Sequence, residues 1–190
     1  RRDQKVLLVS SVSENEGKSS VAANLALALS EKGKRVVLVD ADMKKPAIWR
    51  IFDRREDGPD LKACLEGKAK LEEILFTRDN LSVICQRTAV KDSSRFLDSP
   101  EMESLIVGLR EDWDYVILDS SPMALTSDTE FLLKWADGAI LVVRQDWADV
   151  RAVNEAADAV RQSGVDFIGF VLNAFRGSRS AFHHGYGYYG

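Results

Sequence analysis

Several features that mark specialised proteins are missing from this chain of 190 residues. It has only two cysteines, Cys64 and Cys85, and each lies in an apolar stretch, which predicts reduced core residues and argues against a disulfide framework or a metal site. No apolar run approaches the roughly 20 residues that a membrane helix needs, and no signal peptide opens the chain. The net charge of -4 gives no reason to expect nucleic acid as a partner.

The remaining composition is that of a cytoplasmic globular protein. With 45% hydrophobic and 29% charged residues, the chain can form one domain with a sizeable core. It starts at Arg1 without a methionine, with a predicted strand only a few residues later. We therefore expect the sequence to be a fragment of a longer protein.

Six short runs rich in valine, isoleucine and leucine predict β-strands, and patterns typical of helices alternate with them. The runs are continuously apolar, as in strands buried on both faces of a parallel sheet. The alternation predicts an α/β domain over residues 1–176, with a doubly wound, mostly parallel sheet flanked by helices. A flexible tail is predicted at 177–190. Strands are predicted at 5–11, 35–42, 81–85, 114–121, 138–144 and 167–173, and helices at 18–32, 99–111, about 128–135 and 150–163.

The stretch SENEGKSS ends in Gly17-Lys18-Ser19, directly after a predicted strand and at the start of a predicted helix. This context is typical of a phosphate-binding loop, in which backbone N–H groups at the helix start hold an anion. Lys18 would reach the β- and γ-phosphates, and the Ser19 hydroxyl would bind Mg²⁺. Val12 stands where the usual pattern has glycine, but Asn15 tolerates positive φ. The predicted nucleotide-binding residues of the loop are Asn15, Glu16, Gly17, Lys18, Ser19 and Ser20.

Acidic residues end two of the predicted strands. Asp40 and Asp42 follow the second strand, and Asp119 follows the strand YVIL. In a parallel sheet all three would emerge at the edge that carries the loop, where Mg²⁺ with a triphosphate requires oxygen ligands. The predicted metal site is Ser19, Asp42 and Asp119. Either Asp40 or Asp42 could accept the proton of an attacking hydroxyl, and their spacing does not decide between them.

These motifs together resemble the bacterial tyrosine kinases of capsule and exopolysaccharide synthesis, within the deviant-Walker P-loop class. SENEGKSSVAANLA resembles Walker A, VVLVDADMKKP the additional Walker A′ box, and YVILDSSP Walker B. A C-terminal tyrosine cluster completes the resemblance. There are departures: Glu14-Asn15 replaces the usual Pro-Gly, Lys44 replaces a common arginine, and Ser121 stands where a proline-like step is frequent. The Glu/Arg-rich helix that normally precedes the first strand is either missing or cut off just before Arg1.

The resemblance implies an ATP- and Mg²⁺-dependent protein-tyrosine autokinase. It implies that Lys18, Asp40, Asp42 and Asp119 match the catalytic and Mg²⁺-site residues, and that Asn173 matches the adenine-contacting position. Its implied partners are its own subunits, in a ring-like homo-oligomer of the intact chain, and a membrane polysaccharide co-polymerase that activates it, fused or separate. The domain would then act at the inner face of the plasma membrane.

The C-terminal segment GSRSAFHHGYGYYG carries Tyr186, Tyr188 and Tyr189, which are predicted to be autophosphorylated. Glycines between them disfavour secondary structure and leave the side chains accessible. At about 3.3 Å per residue, the segment could span roughly 45 Å and reach a neighbouring subunit.

Two other functions remain open at this point. The first is an ATPase switch of the partitioning or septum-positioning type, although those proteins carry a signature lysine where this chain has Ser13. The second is a nucleotide-binding scaffold without catalytic activity. The basic stretch KKPAIWRIFDRR, residues 44–55, is either a solvated loop or a docking surface for the tail or for an activator.

Overall fold

The computed structural model describes residues 4–54 and 58–176. It contains one sheet of seven strands, in the order β3-β4-β2-β5-β1-β6-β7. All neighbouring strands pair in parallel except β3 and β4, which are antiparallel. The strands are β1 (Val6–Ser11), β2 (Val36–Asp40), β3 (Leu75–Arg78), β4 (Leu81–Ile84), β5 (Tyr115–Asp119), β6 (Gly138–Arg144) and β7 (Asp166–Asn173).

Helices cover both faces of this sheet. The long ones are α1, α6 and α8, which agree with predicted helices to within two residues. In α6 the Ser99 hydroxyl caps the helix by accepting from the Met102 amide, and Pro100 occupies the first turn. The helices are α1 (Lys18–Glu31), α2 (Ile48–Ile51), α3 (Leu61–Leu65), α4 (Leu71–Ile74), α5 (Ser94–Leu97), α6 (Pro100–Asp112), α7 (Asp128–Leu133) and α8 (Val150–Gln162).

Both faces of the central strands are buried, which explains their continuous apolar runs. In β2, Val37 and Val39 join the core under α6, α7 and α8, whereas Val36 and Leu38 join the core under α1. Alanines on α1 allow the helix to lie close to the sheet, since Ala22 and Ala26 are fully buried. The predicted α/β fold with a mostly parallel sheet is confirmed.

The sequence did not predict the antiparallel edge strand β3 or the short helices α2 to α5. Strand β3 has only four residues and is half exposed, so it lacks a continuous apolar run. The short helices have four or five residues each, too few to show a helical period.

Within the described ranges, no helix is both long enough and apolar enough to cross a membrane. The predicted tail, 177–190, lies outside the described residues.

Candidate active site

The predicted phosphate-binding loop has the backbone conformation that is needed to surround a phosphate group. Gly17 has φ 90° and immediately precedes α1 at Lys18. Asn15 has φ 61°, in the left-handed region that asparagine tolerates. Val12 is 1% exposed and packs in the core, so the residue in the expected glycine position serves the core rather than the loop.

Glu16 organises the loop from inside. Its side chain is 1% exposed, and its two carboxylate oxygens accept from the backbone amides of Ser13, at 2.6 Å, and Arg144, at 3.2 Å. The Asn173 amide Nδ2 donates to the Glu16 carbonyl at 2.8 Å. The loop is therefore tied to the ends of β6 and β7, and the side chain of Glu16 is engaged with protein groups.

Four charged side chains meet at the carboxyl ends of β2 and β5. Asp40 and Asp119 are direct neighbours in the sheet register. The ammonium group of Lys18 lies 2.7 Å from Asp42 Oδ2 and 3.8 Å from Asp119 Oδ1. Burial disfavours the Lys18 ammonium, but the charges of Asp119 and Asp42 outweigh it and raise the pKa of Lys18 above its ordinary value. The predicted convergence of the three aspartates and the lysine is what the structure shows.

Asp42 is held as a carboxylate by hydrogen bonds on both oxygens. Oδ2 faces the Lys18 ammonium, while Oδ1 accepts from the Ser121 hydroxyl at 2.8 Å and from the Lys45 amide at 3.0 Å. Burial favours the neutral acid, but Lys18 and these donors outweigh burial and hold the pKa of Asp42 below its ordinary value.

Asp40 has a different environment, although it is only two residues away. It is fully buried, and its Oδ2 accepts from the amides of Ala47 and Ile48, at 3.1 and 2.9 Å. Burial and the neighbouring Asp119 raise the pKa of Asp40 well above its ordinary value. Asp40 thus anchors the start of α2 and is the more readily protonated of the two acids after β2.

Asp119 is a buried carboxylate close to the Ser19 hydroxyl and the Lys18 ammonium, but no donor among the described residues meets its oxygens in normal hydrogen-bond geometry. Burial raises the pKa of Asp119 to about 6, although the charge of Lys18 opposes the shift. A cation would satisfy these oxygens, and Ser19 in the first turn of α1 could supply a hydroxyl. The described residues contain no group of three or more His, Cys, Asp or Glu side chains that could hold a metal by themselves. A site with Asp119 and Ser19 as its protein ligands therefore fits a Mg²⁺ ion whose other ligands are phosphate and water oxygens.

A cavity of about 700 Å³ opens in front of this cluster. On one side it is lined by the loop, including Asn15, Gly17, Lys18, Ser19 and Ser20. Asp42 also lines it, whereas Asp40 and Asp119 lie behind its surface. The rest of its lining comes from the segment after β2, from Arg87 and Ala89 after β4, and from Ser121, Pro122, Leu125 and Thr126 after β5. The cavity therefore has room for a nucleotide's phosphates and for a second reactant.

The structure brings most of the predicted site residues to this one sheet edge. Asn173 also lies there, but its amide group is bonded to the loop, and its Oδ1 accepts from the Ala174 amide at 2.9 Å. The tyrosines predicted to be phosphorylated, Tyr186, Tyr188 and Tyr189, lie outside the described residues. Individual roles of these residues stay predictions.

Sequence reasoning missed two contributors to the site. It treated Ser121 only as a departure from a motif, yet this hydroxyl fixes the orientation of Asp42. It predicted Glu16 as a nucleotide-binding residue, which stays a prediction, but it did not foresee that the Glu16 side chain shapes the loop. Serines are frequent at strand ends, and only the fold shows which one faces the second aspartate.

Comparison with known proteins identifies the class to which this fold and site belong. The profile of the CobQ/CobB/MinD/ParA nucleotide binding domain matches residues 7–185, and the chain belongs to this family. The nucleotide-binding function that names this family agrees with the geometry of the phosphate-binding loop.

Named relatives narrow the class to tyrosine-protein kinases. The chain is 30% identical to the tyrosine-protein kinase CpsD of Streptococcus pneumoniae, over 89% of this chain and 75% of CpsD. It is 29% identical to the tyrosine-protein kinase YwqD of Bacillus subtilis, over all of this chain and 79% of YwqD. Among solved structures, the VpsO kinase domain superposes with a TM-score of 0.86 at 27% identity, covering 91% of this chain and 86% of VpsO's. The predicted membership of the bacterial tyrosine kinases, and with it the prediction of an enzyme, is confirmed.

A septum-site protein shares the fold as well. MinD of Pyrococcus horikoshii, solved with Mg-ADP, has a TM-score of 0.77 at 23% identity, over 92% of this chain and 72% of MinD's. At this identity the similarity concerns the fold alone.

Proposed function

We propose that this domain transfers the γ-phosphoryl group of ATP to tyrosine residues of its own C-terminal cluster, Tyr186, Tyr188 and Tyr189, in a neighbouring copy. The observation that carries the proposal is the position of Asp42. Its carboxylate lines the cavity, is held by Ser121, and lies beside the lysine of the phosphate loop. The carboxylate of Asp42, as a base, and the ammonium group of Lys18, which would bind phosphate, thus lie in the same cavity. This cavity also has space for the tyrosine that accepts the phosphoryl group.

Asp42 is the residue we assign as the proton acceptor. As the tyrosine oxygen forms its bond to the γ-phosphorus, the bond between that phosphorus and the β,γ-bridging oxygen breaks, and ADP leaves. The phenolic proton passes to the Asp42 carboxylate. Asp40 is less suited, because it is fully buried behind the cavity and its Oδ2 is engaged by two backbone amides.

Lys18 and the loop amides would stabilise the charge on the transferred group. Asp119 and Ser19 would hold Mg²⁺, directly or through water, and the metal would supply further charge neutralisation to the phosphates. Asp42 was also predicted as a metal ligand, and its place on the cavity wall suits the role of base better.

Incubation with ATP labelled at the γ-phosphate tests the proposal. Label should appear on the three C-terminal tyrosines, and Lys18→Met should abolish it. Free phosphate without label on protein would instead support the alternative of an ATPase switch. Nucleotide binding without any turnover, even with an activating segment supplied, would support the scaffold alternative.

The two acidic roles can be separated in the same assay. Asp119→Asn should raise the Mg²⁺ concentration needed for half-maximal labelling. Asp42→Asn should lower the maximal rate at saturating Mg²⁺ by at least a hundredfold, as expected for the loss of a general base. If Asp40→Asn had that effect on the rate and Asp42→Asn did not, the assignment of the base would be reversed.

We further propose, from the family resemblance, that the intact protein forms a ring of its own subunits and is activated by a membrane polysaccharide co-polymerase at the inner face of the membrane. The relative EpsB of Ralstonia solanacearum, a putative tyrosine-protein kinase, is consistent with a kinase region inside a much longer chain, because the aligned region covers only 23% of its length. Light scattering of the full-length protein measures its molar mass and so tests for the ring of subunits. The same measurement with the cytoplasmic segment of the co-polymerase added tests for binding of that partner.

A further inference from the structure

Four serine hydroxyls are buried at the sheet edge that carries the phosphate-binding loop. Ser10 and Ser11 end β1, and Ser120 and Ser121 follow β5. Burying a hydroxyl group is unfavourable unless it forms a hydrogen bond, and apolar side chains would fill this part of the sheet without that requirement. The partners of these hydroxyls therefore indicate which groups they hold in place.

The backbone carbonyl of Ser121 accepts hydrogen bonds from two other elements of the fold. The Ser10 hydroxyl donates to it at 2.8 Å, and the hydroxyl of Thr129, a buried residue of α7, donates at 2.7 Å. The Ser120 hydroxyl is farther away, at 3.3 Å, and also reaches the Val9 carbonyl. Because a carbonyl oxygen has two lone pairs, the two short bonds use its capacity and fix the peptide group of Ser121.

The side chain of Ser121 is the donor that holds Asp42. Its hydroxyl donates to Asp42 Oδ1 at 2.8 Å, and the Lys45 amide donates to the same oxygen at 3.0 Å. A serine whose peptide group is fixed can place its hydroxyl at only a few staggered positions, one of which meets Asp42 here. The position of the Asp42 carboxylate thus depends on Ser10 and Thr129, neither of which lines the cavity.

The start of α7, which carries Thr129, is itself fixed by buried contacts. The preceding residue, Asp128, accepts from the Ser93 hydroxyl at 2.6 Å, and its amide donates to the Thr126 hydroxyl at 2.8 Å. A threonine hydroxyl often bonds a carbonyl three or four positions earlier in the chain. The Thr129 hydroxyl instead reaches a carbonyl eight positions earlier, which indicates a role beyond the stability of its own helix.

We infer that Thr129 and Ser10 are positioning residues for phosphoryl transfer, which set the place of Asp42 through the peptide group of Ser121. The inference rests on the proposed function, in which Asp42 accepts the phenolic proton. A base must lie within hydrogen-bond reach of the proton that it removes, and a displacement of about 1 Å can cost about a hundredfold in rate. The effect of both residues is therefore expected in kcat and not in the binding of ATP.

Labelling of the C-terminal tyrosines of the full-length protein with γ-labelled ATP tests this through a split between kcat and KM. Thr129→Val has nearly the same shape without the hydroxyl, and it should lower kcat at least tenfold and leave the KM for ATP within about twofold. Thr129→Ser keeps the hydroxyl and should stay within about twofold of wild type in both constants. Ser10→Ala leaves the second donor in place, so it should lower kcat by only about threefold.

Ser82→Ala is the matched control for the loss of a buried hydroxyl. Ser82 lies in β4, and its hydroxyl accepts from Trp113 Nε1 at 3.2 Å and pairs with Thr77. None of these three residues lines the cavity. The control should change neither kcat nor KM.

A double-mutant cycle shows whether Thr129 acts through Ser121. Ser121→Ala removes the donor to Asp42 and should lower kcat about as much as Thr129→Val. In the Ser121→Ala background, Thr129→Val should have no further effect on kcat, because the hydroxyl that it positions is already gone. Effects of the two substitutions that multiply would show that Thr129 acts independently of Ser121.

Hydrogen exchange of the Lys45 amide tests the inference without catalysis. This amide shares Asp42 Oδ1 with the Ser121 hydroxyl, so it loses its acceptor when the carboxylate turns away. We expect Thr129→Val to accelerate its exchange at least fivefold. Thr129→Ser and Ser82→Ala should leave the exchange rate unchanged.

An unchanged kcat in Thr129→Val, multiplying effects in the cycle, or exchange of the Lys45 amide at the wild-type rate in that variant would each overturn the inference. If the tyrosines are never labelled, the proposed function fails, and the exchange rates still decide whether Thr129 positions Asp42. Ser10→Ala removes only one of the two donors and provides the same exchange measurement if Thr129→Val folds poorly.

Discussion

The side-chain amide of Asn173 lies where a β-carbon on Gly17 would have to be. An added β-carbon would sit 2.1 Å from Asn173 Nδ2, far inside contact distance, and Gly17 has φ 90°. The same amide donates to the Glu16 carbonyl. The last strand therefore closes the phosphate loop from the side, and only glycine leaves space for it.

Gly17→Ala should abolish nucleotide binding, with at least a hundredfold loss of affinity, because both the positive φ and the contact with Asn173 force the loop to shift. We expect a cost in unfolding free energy of roughly 2 to 4 kcal/mol. Gly33→Ala is the matched control, since Gly33 has φ 78° but open space at the β-carbon position. It should cost about 1 kcal/mol and leave nucleotide affinity unchanged. Calorimetric titration and urea unfolding would check both, and equal effects on nucleotide affinity would contradict the role of Asn173.

Lys18→Met should destabilise the protein as well as inactivate it. It removes the ammonium group that faces Asp42 and Asp119, and breaking a buried ion pair costs about 3 to 5 kcal/mol. The loss should be largest at neutral pH and shrink on acidification, because protonated carboxyl groups no longer need a counter-charge. Urea unfolding at several pH values measures this, and a loss that is the same at pH 4 and pH 8 would argue against the charge-based explanation.

Asp119→Asn should stabilise the nucleotide-free protein at neutral pH. The pKa of Asp119 is raised from 3.8 to about 6, so the folded state binds more protons than the unfolded state between these values. Wild-type stability therefore falls as pH rises through this window, and the deficit persists above it. We expect the variant to be about 1 to 3 kcal/mol more stable at pH 7.5 and equal to wild type below about pH 4.

Asp42→Asn should have the opposite effect on stability from Asp119→Asn. The measurement is the free energy of unfolding with a chelator present. The pKa of Asp42 is lowered, so its carboxylate contributes stability above the ordinary value of 3.8, and this contribution disappears as pH falls through the lowered value. The variant should be less stable than wild type at neutral pH, and the two should converge in acid. If both asparagine variants shifted stability in the same direction, the opposite environments of the two acids would be disproved.

Asp40→Ala should cost about 2 to 4 kcal/mol, because the amides of Ala47 and Ile48 lose their acceptor in a buried position. Asp40→Asn keeps a carbonyl oxygen there and resembles the neutral acid, so its cost should stay within about 1 kcal/mol. Thermal unfolding of the two variants gives the comparison. A similar loss for both would mean that the negative charge of Asp40, and not its hydrogen bonds, stabilises the start of α2.

The parts of the fold that could be predicted are those whose physical cause is local. Strands buried on both faces require unbroken apolar runs, and these are visible in VVLVD and YVILD. The position of Asp42 beside Lys18 followed from the rule that parallel strands end at one edge. The left-handed conformation of Asn15 followed from the tolerance of that residue type.

What could not be predicted depends on contacts between distant segments. The partners of Glu16 are set by the register of β6 and by the course of the loop itself, which no local pattern reveals. Ser121 is one of several serines near strand ends until the sheet brings it to Asp42. The basic stretch 44–55 was recognised in the sequence as a cluster, but Arg87, which follows β4, joins Lys44, Lys45 and Arg50 only in the folded structure.

The ties between the phosphate loop and the last two strands have a consequence for how the protein is made. Glu16 binds the backbone of a residue 128 positions later, and its carbonyl binds a side chain 157 positions later. The phosphate-binding loop is synthesised early, because it follows β1. The groups that fix its conformation, the Arg144 amide and the Asn173 side chain, are synthesised only with β6 and β7. The nascent polypeptide therefore becomes able to capture a nucleotide only after β7 has been synthesised, so ATP in the cell meets a finished site.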